Sequence, residues 1–454
     1  MAFISEQLAD FTAGLGLAQV PGAVALRAKH LILDAIGCGF AARKEDFAVR
    51  IAASVAKLAG EGPRRTLGMA HRLPLRDAAV VNGMLMHGLD YDDTHAAGVI
   101  HLTVSTFPAA LGTAAHLGAP GAQLLAAYIA GVETGARIAA VVKSGFHPTG
   151  VVGAFAASLV AGRLMKLSPE CLAGAQGIAL SLASGNLQFI EDGSWTKRIH
   201  PGWAAACGIS AASLAADGFP APREAYEGRF GLYRSHLPPA ALEACDFSLA
   251  TSGLGTAWEI DNVAVKPFPA CHFLHGCAEA AIALHRAGVD PERVRSIRAL
   301  VPEGVVKAVC EPLAAKRRPK SDYDAKFSLP YAIASGLTRG RLGLAELAPE
   351  ALVEPRIERL MDKVEYAIDT ASTFPRHYSG EVVVTLDDGR TASNRVAVNP
   401  GNPDRPLTNA EIEAKYFENC AISLDERHAR RIRDLVLDLE SVGNAVQLEA
   451  ALGG

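Results

Sequence analysis

Apolar residues recur at helical spacing through the first half of the chain. From Gly22, the residues Val24, Ala28, Leu31 and Ala35 fall on one face, and Pro21 stands just ahead, where a helix start tolerates proline. The runs VVGAFAASLVAGRL after Gly150, CLAGAQGIALSLAS from Cys171 and GWAAACGISAASLAA from Gly202 predict further helices, rich in small residues and able to pack closely. Between Thr94 and Val132 there is no Asp, Glu, Lys or Arg. Histidines 95, 101 and 116 and prolines 108 and 120 interrupt that stretch, which predicts helices buried nearly all round rather than a membrane span.

The pattern changes after Trp258. Val294–Val301 and Glu381–Leu386 have strand character, and Asp388-Gly389 is a hairpin turn signal ahead of a second strand from Arg390 to Val398. Helical patterns over Gly276–His285, Leu329–Leu337 and Ala351–Met361 lie among them. A Pro-rich stretch from Asn399 to Pro406 closes this region. Thr408 with Glu411 then forms a capping-box pattern, and the tail reads as helix to Leu452, able to return to the first domain. The expected organisation is mainly α, with a helical domain over 1–262 and 404–454 and a smaller α+β domain over 263–403.

Composition narrows the function classes. Forty-four Lys and Arg against 48 Asp and Glu give a net charge of −4, too balanced for non-specific nucleic-acid binding or a polybasic membrane surface. Half the residues are hydrophobic, enough to build cores without disulfide or metal staples. The eight cysteines are scattered with no CxxC pair, and the first ten residues carry acidic groups where an export signal needs basic ones. A cytoplasmic protein with reduced thiols is the expectation.

Gly37-Cys38-Gly39-Phe40-Ala41-Ala42 formally matches a dinucleotide-binding fingerprint, but it continues a helical pattern and lacks the preceding strand. No P-loop, HExxH or GxSxG is present. The densest polar cluster is HGLDYDDTH (87–95), followed by His101. Its residues suit three readings: a divalent metal, a proton-transfer or substrate site, or helix capping. Three further segments, GFHPTG (145–150), KRIHPG (197–202) and KPFPACHFLH (266–275), are each expected to lead into an apolar helix. Helix N-termini with an adjacent Lys or His favour anions, so converging ends would hold a small polyanion beside imidazoles able to move protons. In KFSLPYAIA (326–334), Tyr331 is either a hydroxyl donor or a core residue.

Taken in this order along essentially the whole chain, these segments resemble the MmgE/PrpD family, which includes 2-methylcitrate dehydratase, cis-aconitate decarboxylase and iminodisuccinate epimerase. The resemblance implies a large all-helical domain built from both chain ends, a smaller α+β lid, a homodimer, and a site between the domains working without metal or organic cofactor. It implies a lyase on a citrate- or aconitate-like acid, or alternatively an epimerase of an amino- or imino-dicarboxylate. Matched residue by residue, Asp90, His101, His147, Lys197 and Tyr331 take catalytic roles, and Thr94, Lys266, His275 and His200 bind substrate. Asp90 is expected to orient a histidine. The chemistry shared by the family moves a proton at a carbon next to a carboxylate, with Lys197 and Lys266 stabilising the charge that builds there.

Overall fold

The computed structural model describes residues 2–141 and 145–453. It is 59% helical with 8% strand, a mainly α fold with a smaller α+β region. The chain divides into two compact units, one of Met1–Phe189, Trp195–Val263 and Thr408–Gly454, the other of Ile190–Ser194 and Ala264–Leu407.

The larger unit is helical. Its principal helices are α1 (Gly22–Ala42), α2 (Leu75–His87), α3 (Thr103–Leu117), α4 (Gly121–Val141), α5 (Pro148–Leu164), α6 (Pro169–Leu182), α7 (Thr196–Ala216) and, from the C-terminal part of the chain, α8 (Asn409–Ala421). The GxGxxA stretch lies inside α1, so it forms no nucleotide turn. Among the described residues, α4 alone is long and apolar enough to cross a membrane, and 94% of its apolar window is buried in the unit. The small residues noted in the sequence are contact points. A Cβ at Gly83 on α2 would lie 2.6 Å from Gly202 Cα on α7, and one at Gly202 would overlap the Val80 carbonyl. Only glycine lets these two backbones cross so closely, and the crossing holds the C-terminus of α2 near the N-terminus of α7.

The capping box predicted at Thr408 is present, with Glu411 Oε2 accepting from the Thr408 N–H at 2.8 Å, and it starts α8. Lys415 on α8 then reaches back into the body of the unit. Its ammonium lies 2.7 Å from Asp34 of α1, donates to the Tyr91 carbonyl and stands 3.7 Å from the centre of the Tyr91 ring.

The smaller unit carries a four-stranded sheet of β1 (Val294–Val301), β2 (Val364–Ile368), β3 (Gly380–Leu386) and β4 (Thr391–Val396), in the order β2-β1-β3-β4. β3 and β4 are the hairpin that Asp388-Gly389 predicts, with Val382 opposite Asn394. β2, which the sequence pattern does not mark, runs parallel to β1 with Ile297 opposite Val364. The helix expected over 351–361 is broken into Pro349–Leu352 and Pro355–Asp362, because Pro355 cannot continue a helix from within. Helices at His275–Arg286 and Leu329–Arg339 supply residues to the apolar core of this unit.

Candidate active site

The polar cluster of the sequence occupies the turn that leaves α2. His87 is the last residue of that helix, and Asp90 follows in left-handed backbone conformation at φ 54°. A non-glycine residue there is uncommon and clusters at functional sites. Asp90, Asp92, Asp93, Thr94 and His101 are all buried.

One carboxylate organises two imidazoles. Asp92 accepts from His87 Nδ1, with both oxygens at 3.0 Å, and its Oδ2 lies 3.1 Å from His101 Nδ1. His101 Nδ1 is also 2.7 Å from the Asp93 carbonyl and 3.5 Å from Thr94 Oγ1. Carboxylate and carbonyl oxygens only accept here, so His101 Nδ1 carries its proton and the lone pair of the neutral ring is on Nε2. Burial disfavours the ionised form of Asp92, yet the His87 and His101 rings outweigh it and hold the carboxyl well below the usual carboxylate range. Burial pushes His87 down to about 4 despite Asp92, leaving a neutral ring whose Nε2 has no hydrogen-bond partner among the described residues.

Asp93 has a different task. It takes the N–H and hydroxyl of Thr103 at the start of α3, and burial together with the charge of Asp92 pushes it up to about 7. Asp90, expected to orient a histidine, instead pairs with Lys197 on the first turn of α7 at 2.7 Å. Its Oδ1 is 3.9 Å from His101 Nε2. The orienting role belongs to Asp92, and spacing alone could not choose between two carboxylates two residues apart.

His147 stands at the N-cap of α5, and its Nδ1 meets His200 Nδ1 of α7 at 2.9 Å. Such a contact requires one ring to donate and the other to accept. Burial lowers both, His200 to about 4, with the charge of Lys197 acting in the same direction. Burial holds these two imidazoles neutral, and Asp90 balances Lys197. KRIHPG is also the opening of α7 rather than a loop before it, with Pro201 inside the helix.

The ring centres of His87, His101 and His147 lie 4.7–6.4 Å apart. One nitrogen from each falls within 4.8 Å of the others, a spacing that an imidazole-binding cation can bridge. The structure thus gathers Asp90, Thr94, His101, His147, Lys197 and His200 in the larger unit, together with His87 and Asp92, to which the family resemblance gave no role.

The remaining candidates lie in the smaller unit. Lys266 is buried after a short extended segment, and His275 opens its helix with Nε2 3.2 Å from the Ala270 carbonyl. Tyr331 is fully buried and donates its hydroxyl to the Glu346 carbonyl within the apolar core. Tyr331 is thus placed among core residues, with its hydroxyl on a backbone carbonyl.

A buried cluster of imidazoles and carboxylates thus sits at a turn in left-handed conformation, in a helical unit that includes a C-terminal helix. The chain belongs to the MmgE/PrpD family, matching the MmgE/PrpD N-terminal domain over residues 6–244 and the MmgE/PrpD C-terminal domain over residues 268–441. It is 27% identical to a cis-aconitate decarboxylase-like protein of Aspergillus oryzae, the alignment covering 99% of this chain and 97% of the relative. It is 28% identical to the human cis-aconitate decarboxylase, over 99% and 95%, and 25% identical to that of Aspergillus terreus, over 98% and 95%.

Proposed function

We propose that the chain is a lyase of aconitate-like di- or tricarboxylic acids, and that the reaction is loss of CO2. In this reading the bond to one carboxylate breaks, CO2 leaves, and the electron pair spreads into the neighbouring unsaturated acid. One proton then reaches carbon from an imidazole. The observation that carries the reading is His101, whose Nδ1–H is fixed by Asp92 and the Asp93 carbonyl while Nε2 stands 3.9 Å from the Asp90 carboxylate paired to Lys197. A proton arriving on Nε2 then stands beside the Asp90 carboxylate, with the Asp92 carboxylate on the other ring nitrogen. His147 supplies the second imidazole and Thr94 a hydroxyl beside the first. Full-length relatives named for cis-aconitate decarboxylation support the substrate class. The same reading takes the working form as a homodimer, which light scattering of the purified protein checks.

Incubation with cis-aconitate, citrate, 2-methylcitrate and iminodisuccinate in D2O, followed by NMR, tests it. Release of CO2 with deuterium entering the product is the expected result. Loss or gain of water would select the dehydratase chemistry of the family. Exchange of an α-hydrogen with the carbon skeleton intact would select an epimerase, and no change in any acid defeats the proposal.

A further inference from the structure

We infer that Asp92 is a positioning residue that sets the tautomers of two imidazoles at once, with His87 as its second client and anchor. The kinetic part of this inference rests on the lyase reading; the structural part does not. Asp92 is fully buried and faces two ring nitrogens, His87 Nδ1 at 3.0 Å and His101 Nδ1 at 3.1 Å. A carboxylate has acceptor sites enough for both and donates to neither, so both rings are driven to the Nδ1–H form and both Nε2 atoms keep lone pairs. The two rings pack edge to face at 4.7 Å between centres. The rest of the surroundings do not duplicate this control. Asp90 is tied to Lys197, Asp93 serves Thr103, and His147 is paired with His200. Asp34, on the neighbouring helix α1, is held by Lys415.

Hydrogen-bond counting makes the inference specific. A carboxamide at position 92 has one acceptor oxygen and one donor nitrogen, so it cannot accept from both rings through separate atoms. His101 also has the Asp93 carbonyl on Nδ1 at 2.7 Å and keeps its proton there. Among the described residues His87 Nδ1 meets no acceptor besides Asp92, so in Asp92→Asn it is the ring that turns over to the Nε2–H form. That places a proton on the buried nitrogen that now has no hydrogen-bond partner.

Full-length protein labelled with 15N-histidine tests this without substrate, so its outcome stands apart from whether the lyase reading is right. In the unaltered protein, His87 and His101, assigned by loss of their signals in His87→Asn and His101→Asn, are expected as Nδ1–H tautomers. In Asp92→Asn, His87 is expected to change tautomer and His101 to keep its own. On the substrate identified above, Asp92→Asn lowers kcat by about 10- to 100-fold with KM nearly unchanged, because the orienting charge acts on the base rather than on substrate binding. His87→Leu loses the donor to Asp92 and about tenfold in kcat, and His87→Asn, which retains a side-chain donor near the Nδ1 position, is expected to lose less. An Nε2–H tautomer at either ring in the unaltered protein overturns the inference, whether or not Asp92→Asn folds. So does an Asp92→Asn protein in which both tautomers and kcat stay as they were.

Discussion

The larger unit contains two buried lysine–carboxylate pairs of the same length, Asp34–Lys415 and Asp90–Lys197, both at 2.7 Å. They differ in what surrounds them. Lys415 meets the Tyr91 carbonyl and ring, so its pair closes a joint between α8, α1 and the site turn. Burial still raises the Asp34 carboxyl despite the lysine, a reminder that desolvation is not repaid by one partner. Lys197 instead shares its carboxylate with the neighbourhood of His101, on a residue held at positive φ. Equal length therefore says little about role; what lies beyond each pair says more. One pair holds a backbone in place, and the other stands beside an imidazole of the buried cluster.

Substitutions can separate the two. Lys197→Ala is expected to reduce turnover about 10³-fold, since one well-placed donor is worth that much in a dry site, and to lower the melting temperature as well because Asp90 is left buried without its ammonium. Steady-state kinetics beside a thermal melt checks it. Lys415→Met should do the reverse in emphasis. Leaving Asp34 buried and unpaired costs about 3–5 kcal/mol, read from urea unfolding, with the activity that remains falling as the site turn loosens.

Smaller effects come from titration. His87 and His200 have folded-state values near 4, below the ordinary 6.5, so the unfolded chain takes up protons first as pH falls. Stability is expected to decline from about pH 6.5 toward 4, and His200→Asn to make that decline shallower. Asp93 acts in the opposite sense. Raised from 3.8 to about 7, it favours the folded state while protonated, and that contribution fades as pH rises from about 4 through 7. Because Asp93 offsets the histidines over this range, urea midpoints measured at pH 5 and pH 8 should differ more in Asp93→Asn than in the unaltered protein, with pH 5 the less stable. The least effect is expected from chelation: exhaustive treatment with EDTA leaves turnover unchanged if imidazoles alone move the proton, and a loss restored by Zn2+ would favour the metal alternative for His87, His101 and His147.

Much of the fold was legible because its signals are local. The spacing of Val24, Ala28, Leu31 and Ala35, the turn at Asp388-Gly389 and the box of Thr408 with Glu411 each specify an element through neighbours in sequence. β2 was not legible. Its five residues, Val364–Ile368, do not alternate cleanly between buried and exposed, and its pairing partner β1 lies far upstream. The site divides the same way. HGLDYDDTH announced a polar cluster in an apolar region, but which carboxylate meets which imidazole depends on a backbone turn at Asp90 and on α7 arriving from a hundred residues away. The meeting of His147 with His200 is likewise a product of helix crossing. Tyr331 looked equally suited to chemistry and to packing until the Glu346 carbonyl supplied its partner.

The reach of Lys415 also bears on how the protein is made. Tyr91 and its neighbours are synthesised early, yet the ammonium that grips them comes from a helix near the end of the chain, after the whole sheet-bearing unit. A ribosome-bound chain stopped before Lys415 would carry every residue of the buried cluster and still lack that ammonium, so the joint at Tyr91 closes only after the sheet-bearing unit has been made.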